Sequence, residues 1–227
     1  SLGELSHGAS LTVTGGTWDY LHAYAYGDNI YIGQPIDLTS TVVIQDVVAS
    51  AYRYSFNSNK EVAGKMTFAN CSFTSVLSAM KIKPTAFTGE LTIRDSAFLS
   101  TGGTQWALWL SHPFPASLAI ADSSFTASGG HDAIQILNLE GEVSMTGVTV
   151  VSTGDRGFDV WDVTGTLAIA ASTITSANAS IEVSGAMNST SNISLVGVTA
   201  TSTLGEVLTV TSVASGAITA RGGHWSS

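Results

Sequence analysis

The segment Gly89–Phe98, GELTIRDSAF, decides the fold, because the chain keeps returning to it. It recurs as GKMTFANCSF from Gly64, ASLAIADSSF from Ala116, GEVSMTGVTV from Gly141 and GTLAIAASTI from Gly165. SNISLVGVTA from Ser191 and GAITARGGHW from Gly216 continue the series; ASLTVTGGTW from Ala9 and STVVIQDVVA from Ser40 precede it. The first apolar position falls at Leu11, Val42, Met66, Leu91, Leu118, Val143, Leu167, Ile193 and Ile218. The intervals are 31, 24, 25, 27, 25, 24, 26 and 25 residues. A period in this range marks a solenoid, whose unit buries its apolar face only by stacking on the next unit.

Four columns run through the units, at offsets 0, 2, 5 and 7 from that first position. Offset 2 reads Val13, Ile44, Phe68, Ile93, Ile120, Met145, Ile169, Leu195, Ala220, and offset 7 runs from Trp18 through Phe73, Phe98 and Phe125 to Trp225. Offset 5 is compact, with Val47, Cys71, Ser96, Ser123, Val148 and Ser172 among its members. Steps of two mark strands, and the step of three between offsets 2 and 5 marks a bend. Cys71 therefore reads as a small buried hydrophobe, not a nucleophile.

A third strand follows in each unit. HDAIQILNLEG from His131 aligns without gaps on DRGFDVWDVTG from Asp155, and ALWL at Ala107, SIEV at Ser180 and VLTV at Val207 are related. The expected fold is all-β: a single-stranded right-handed parallel β-helix of about nine coils of 24–27 residues, with three strands per coil. Left-handed hexapeptide coils take roughly 18 residues and flat triangular turns, which this longer, uneven unit does not match. Residues 1–227 form one β-helix domain, expected to be a slice of a longer solenoid, since no polar cap follows the last unit and end-to-end self-association would cover its strand edges.

Composition narrows the function. Charged residues make up only 11% while Ser and Thr number 58 of 227, which excludes charge-driven disorder and the Glu/Lys/Leu mix of helical bundles. A net charge of −9 argues against nucleic acid or an anionic membrane as partner. One cysteine rules out a disulfide framework, and no apolar run reaches the roughly 18 residues needed for membrane insertion as a helix.

The densest polar group lies on the third strands: His131 and Asp132 in one coil, Asp155, Arg156, Asp159 and Asp162 in the next. Strand alternation sets Asp159 over Gln135, with Trp109 and Trp161 nearby as faces for sugar rings. Ligand-binding candidates are thus Trp109, His131, Asp132, Gln135, Arg156, Asp159 and Trp161. Glycoside hydrolysis needs two carboxylates roughly 5–9.5 Å apart, and Asp132, Asp155, Asp159 and Asp162 would serve if the chain is an enzyme. The same residues also fit an Asp132–Arg156 ion pair between neighbouring coils. No second His stands in register with His131, so no metal and no cofactor are expected. The aromatic-rich segments YLHAYAYGDNIYI from Tyr20 and AYRYSF from Ala51 are expected to turn alternate rings inward. Asn70, Asn178, Asn188 and Asn192 head N-x-Ser/Thr sequons, against about two expected by chance.

The glycine pair in SGGHDAIQIL followed by EVSMTGVTV resembles the repeats of the pectate-lyase-like right-handed β-helix superfamily. That resemblance implies carbohydrate binding or sugar hydrolysis, but its polygalacturonase-like signatures Asn-Thr-Asp, Asp-Asp and Gly-His-Gly are missing from the sequence. The Ser/Thr-rich, low-charge coils GASLTVTGG and NISLVGVTATS are also similar to repetitive surface adhesins such as autotransporter passengers and trypanosomal dispersed gene family proteins. The leading expectation is a non-catalytic extracellular or cell-surface module whose partner is a glycan or a cell-surface protein. A polysaccharide-degrading hydrolase or lyase is second. A third reading, an ice-binding face, rests on outward Thr/Ser rows such as Thr67 and Thr92 at offset 1 and Thr149, Thr173 and Thr199 at offset 6. The columns themselves predict that Leu91, Ile93 and Phe98 point inward and stack on Leu118, Ile120 and Phe125.

Overall fold

The computed structural model describes residues 10–20, 28–33, 35–83, 87–103, 105–111, 113–114, 116–213 and 215–227. All regular elements among them are strands, and all pair parallel into three sheets. The first sheet holds nine strands in chain order from Ser10–Thr14 to Ala217–Arg221, and the second nine from Thr17–Tyr20 to His224–Ser226. The third holds eight, from Asp28–Ile32 to Leu208–Val213. The protein is a right-handed parallel β-solenoid of eight complete three-strand turns, followed by two strands of a ninth.

The repeat columns are its core. Leu91 pairs with Leu118, Ile93 with Ile120 and Phe98 with Phe125, and all six are at most 2% exposed. Phenylalanines continue along the axis: Phe73 meets Phe98 edge-on at 5.5 Å, and Phe98 lies parallel to Phe125 at 4.9 Å. In the last turn the column opens, and Ile218 is 36% exposed.

A fourth inward column escaped the sequence reading. Val62, Phe87, Phe114, Leu139 and Val163 each stand four residues before a first-column residue, and isolated parallel bridges join Val62 to Phe87 and Phe114 through Leu139 to Val163. Of the two aromatic-rich segments, residues 21–27 lie outside the described residues. In the remainder, Ile30 and Phe56 take the inward places while Tyr31 is only half-buried, its hydroxyl reaching Asn59 Oδ1 at 3.0 Å.

The bend between first and second sheets is the most uniform part of each coil. Two residues separate the two strands in all nine coils, and the first of them is always left-handed: Gly15, Asp46, Asn70, Asp95, Asp122, Gly147, Ala171, Gly197, Gly222. Gly, Asn and Asp tolerate that conformation, whereas a bare β-carbon does not. The second bend residue points inward, and where it is Ser its hydroxyl ties coil to coil. Ser96 Oγ donates to Arg94 O at 2.7 Å and accepts the Cys71 N–H at 3.0 Å; Ser123 and Ser172 repeat the pattern. Cys71 substitutes its thiol, which burial pushes above the ordinary pKa and keeps protonated.

Two outcomes follow for stability. Phe125→Ala is expected to cost about 3–5 kcal/mol in urea unfolding, since the coils on either side cannot close the void. Ala171→Gly is expected to stabilise by about 1 kcal/mol, because Ala171 holds φ 47° with neither glycine's freedom nor a local side-chain hydrogen bond.

Candidate functional site

The third sheet carries an outward row in strict register: Asn57, Lys81, Trp109, Gln135, Asp159, Glu182, Thr209. An outward carboxylate is ordinarily wet, yet Asp159 is 0% exposed and Asp132 1%. Polar neighbours from three successive coils cover them.

The turn leading into these strands is built by backbone stacking. A β-carbon on Gly129 would lie 2.3 Å from Gly102 O, and one on Gly154 only 1.7 Å from Gly129 O, so these turns pack backbone on backbone. Ser152 Oγ donates to His131 O at 2.9 Å across the same stack. Asp132 and Arg156, each a few residues beyond a glycine, are thereby superposed.

Arg156 is the hub. Its Nε donates to Asp132 Oδ1 at 3.0 Å, and its NH1 lies 3.2 Å from Asp159 Oδ1 and 3.3 Å from Glu182 Oε1. Asp155 Oδ1 is 3.8 Å from Nε. Gln135 Nε2 donates to Asp159 Oδ2 at 3.1 Å and reaches Asp132 Oδ2 at 3.4 Å. Ser184 Oγ donates to Asp159 Oδ1 at 2.6 Å, and the Trp161 indole N–H to Asp159 Oδ2 at 3.1 Å. Four carboxylates around one guanidinium leave a formal charge of −3 when all are ionised. Burial opposes the charge on Arg156, but the four acids outweigh it and raise its pKa. Burial, with Asp159 and Asp155 adding to it against the pull of Arg156, lifts Asp132 to about 7.

Beside this network runs a stack of rings and cations. Arg53 and Lys81 lie over Tyr54 at 4.8 and 4.6 Å, and Lys81 also lies over Trp109 at 4.6 Å. Trp109 stacks on Trp106 at 4.4 Å, and Trp106 meets His131 at 4.8 Å. Trp109 and His131 are therefore engaged with their neighbours. Trp161, at 51% exposed, is the indole that faces solvent.

The structure thus joins Asp132, Gln135, Asp155, Arg156, Asp159 and Trp161 in one network and sets Trp109 and His131 in the adjoining stack. Asp162 stands apart: its Oδ1 accepts the Ala186 N–H at 2.7 Å, and it lines a separate groove with Asn138, Glu140, Thr164, Ala186 and Asn188. Sequence reasoning missed Lys81, Trp106, Glu182 and Ser184. Glu182 had a signal, since SIEV aligns with the strand of Asp159. The sequon asparagines are all exposed, with Asn70 and Asn178 donating to Asp46 at 2.7 Å and Asp155 at 2.8 Å.

Chemically, the network is saturated. Both oxygens of Asp159 already accept two donors each, and Arg156 occupies the centre where a cation would sit. Among the described residues, no three His, Cys, Asp or Glu side chains converge as metal ligands. A partly exposed rim remains to meet a ligand: Trp161, with Arg156, Asp155 and Glu182 about one-quarter exposed.

The fold and this rim define the class of the molecule, a three-sheet parallel β-solenoid with a polar and aromatic lateral face. Comparison with protein-family models, curated proteins and solved structures returned no match.

The buried acid generates a pH dependence. Asp132 holds its proton up to about pH 7 when folded, against 3.8 for an ordinary aspartate. Its contribution to stability is therefore full below pH 4 and is lost as the pH rises to 7. Asp132→Asn is expected to flatten that part of the melting-temperature profile. An unchanged slope in the variant would assign the dependence to other groups.

Proposed function

We propose that this protein is a non-catalytic surface module, extracellular or displayed on a cell, that binds a glycan or a cell-surface protein through the outer face of its third sheet. The observation that carries this reading is the saturation of Asp132 and Asp159. Acids that must exchange protons with a substrate need access to it, and these two are at most 1% exposed with their oxygens engaged by Arg156, Gln135, Ser184 and Trp161. Ligand contact then falls to the rim, where an indole and charged side chains reach solvent. The three-strand coil supports a fold-level kinship with pectate-lyase-like β-helices, and the Ser/Thr-rich surface and four exposed sequons support an adhesin-like, secreted setting.

One observation favours the alternative, a polysaccharide hydrolase or lyase. A carboxyl group near pKa 7 among other carboxylates is the split in protonation that acid–base pairs use. A glycan array followed by a reducing-sugar assay on each captured ligand separates the two. Capture without release is expected. Release of reducing ends by the wild-type protein, abolished in Asp159→Asn with the melting temperature preserved, would establish the enzyme instead.

A further inference from the structure

Within the described strand pairings, the register of the third sheet shifts inside one strand, Ile181–Met187. Val160 and Val163 are three residues apart in the coil below, while their partners Val183 and Met187 are four apart. In the coil above, Val210 and Ser212 are two apart against three for Val183 and Ala186. The strand therefore carries one extra residue, a bulge at Ser184–Gly185, and no other strand pairing among the described residues shows such a shift. Bulges re-aim side chains and concentrate at binding sites.

This bulge shapes what surrounds Trp161. Gly185 N–H donates to Trp161 O, and a β-carbon at Gly185 would fall 2.1 Å from Asp162 Oδ1 and 2.4 Å from Trp161 O, so only glycine permits the approach. The bulge also turns Ser184 onto Asp159, whose other oxygen pins the Trp161 indole. An exposed indole is thereby held in one orientation. Asp162, next in sequence, lines a groove of about 300 Å³ with Asn138, Glu140, Thr164 and Asn188. Asn188 Oδ1 is occupied by the Thr190 N–H at 2.9 Å and hydroxyl at 2.7 Å, leaving its amide NH2 as a donor.

We infer that the bulge assembles a subsite for two successive uncharged hexopyranose units of a glycan, one stacked on Trp161 and its neighbour with its hydroxyls in the Asn138–Glu140–Asp162–Asn188 groove. A pyranose has an apolar C–H face for the indole and a rim of hydroxyls that both donate and accept. Carboxylates beside amides meet that rim, in a groove at the small end of ligand-site volumes. The charge selects against acidic sugars. The ionisable groups lining the groove are Glu140 and Asp162, and the nearby cation, Arg156, is already shared among four carboxylates. A uronate or sulfate would lose its hydration there without a counter-charge.

The inference rests on the glycan half of the proposed function, and the test separates the two. The full chain, Trp161→Ala and Trp161→Phe are titrated with neutral gluco-, galacto- and manno-oligosaccharides, and in parallel with uronate-bearing and sulfated ones, after melting curves establish that the variants fold. Neutral oligosaccharides are expected to bind the wild type, to bind Trp161→Phe more weakly, and to lose tenfold or more in affinity with Trp161→Ala. Neutral binding that survives Trp161→Ala unchanged, or binding confined to acidic sugars, overturns the subsite and leaves glycan binding standing. Binding to no sugar in any arm overturns both.

Discussion

Everything in this molecule follows from stacking one coil on the next at the strand-pairing distance, about 4.8 Å. At that spacing each side chain is locked between its counterparts above and below, so a column holds only residues that pack on one another. Phe98 lies parallel to Phe125 because both occupy one column in successive coils. The same closeness compels glycine wherever backbone meets backbone, as at Gly129 and Gly154. Polar groups obey the rule too: the bend serines sit inside because each finds a carbonyl in its own coil and an N–H in the preceding one.

The Arg156 network is this rule applied to charge. Superposed third strands place Asp132, Asp159 and Glu182 one coil apart, a spacing at which like charges repel. One guanidinium threaded between them offsets the repulsion, and Gln135, Ser184 and Trp161 supply further donors. Removing Arg156 would leave the buried carboxylates of Asp132 and Asp159 without their counter-charge, which costs far more than losing an exposed pair would.

The sequence made the solenoid legible because each column repeats one kind of side chain at nearly constant interval. The Asp132–Arg156 contact was legible for the same reason, through the gapless alignment at 24 residues. Alternation also set Asp159 outward over Gln135, as found, but outward implied exposed, and its cover could not be read. That cover arrives from Ser184, displaced by the bulge, and from Arg156 and Trp161 folding back over the sheet. Trp106 was missed because it belongs to a turn, where no column constrains the reading. The fourth inward column was missed because single bridges give no alternation to detect.

The bend of constant length has a counterpart in the turn that leads from the second sheet to the third. That turn has two residues between Ala51 and Tyr54 but seven between Ser100 and Leu108. Lengthening a surface turn costs little closure entropy, whereas one residue added at the bend would rotate every later column off its partner. The coil is therefore divided into a part that measures and a part that is free to vary. The free part borders the Arg156 network and the Trp106–Trp109 stack. A chain of this design can acquire new contact surfaces one coil at a time by altering that turn, with the rod beneath it left undisturbed.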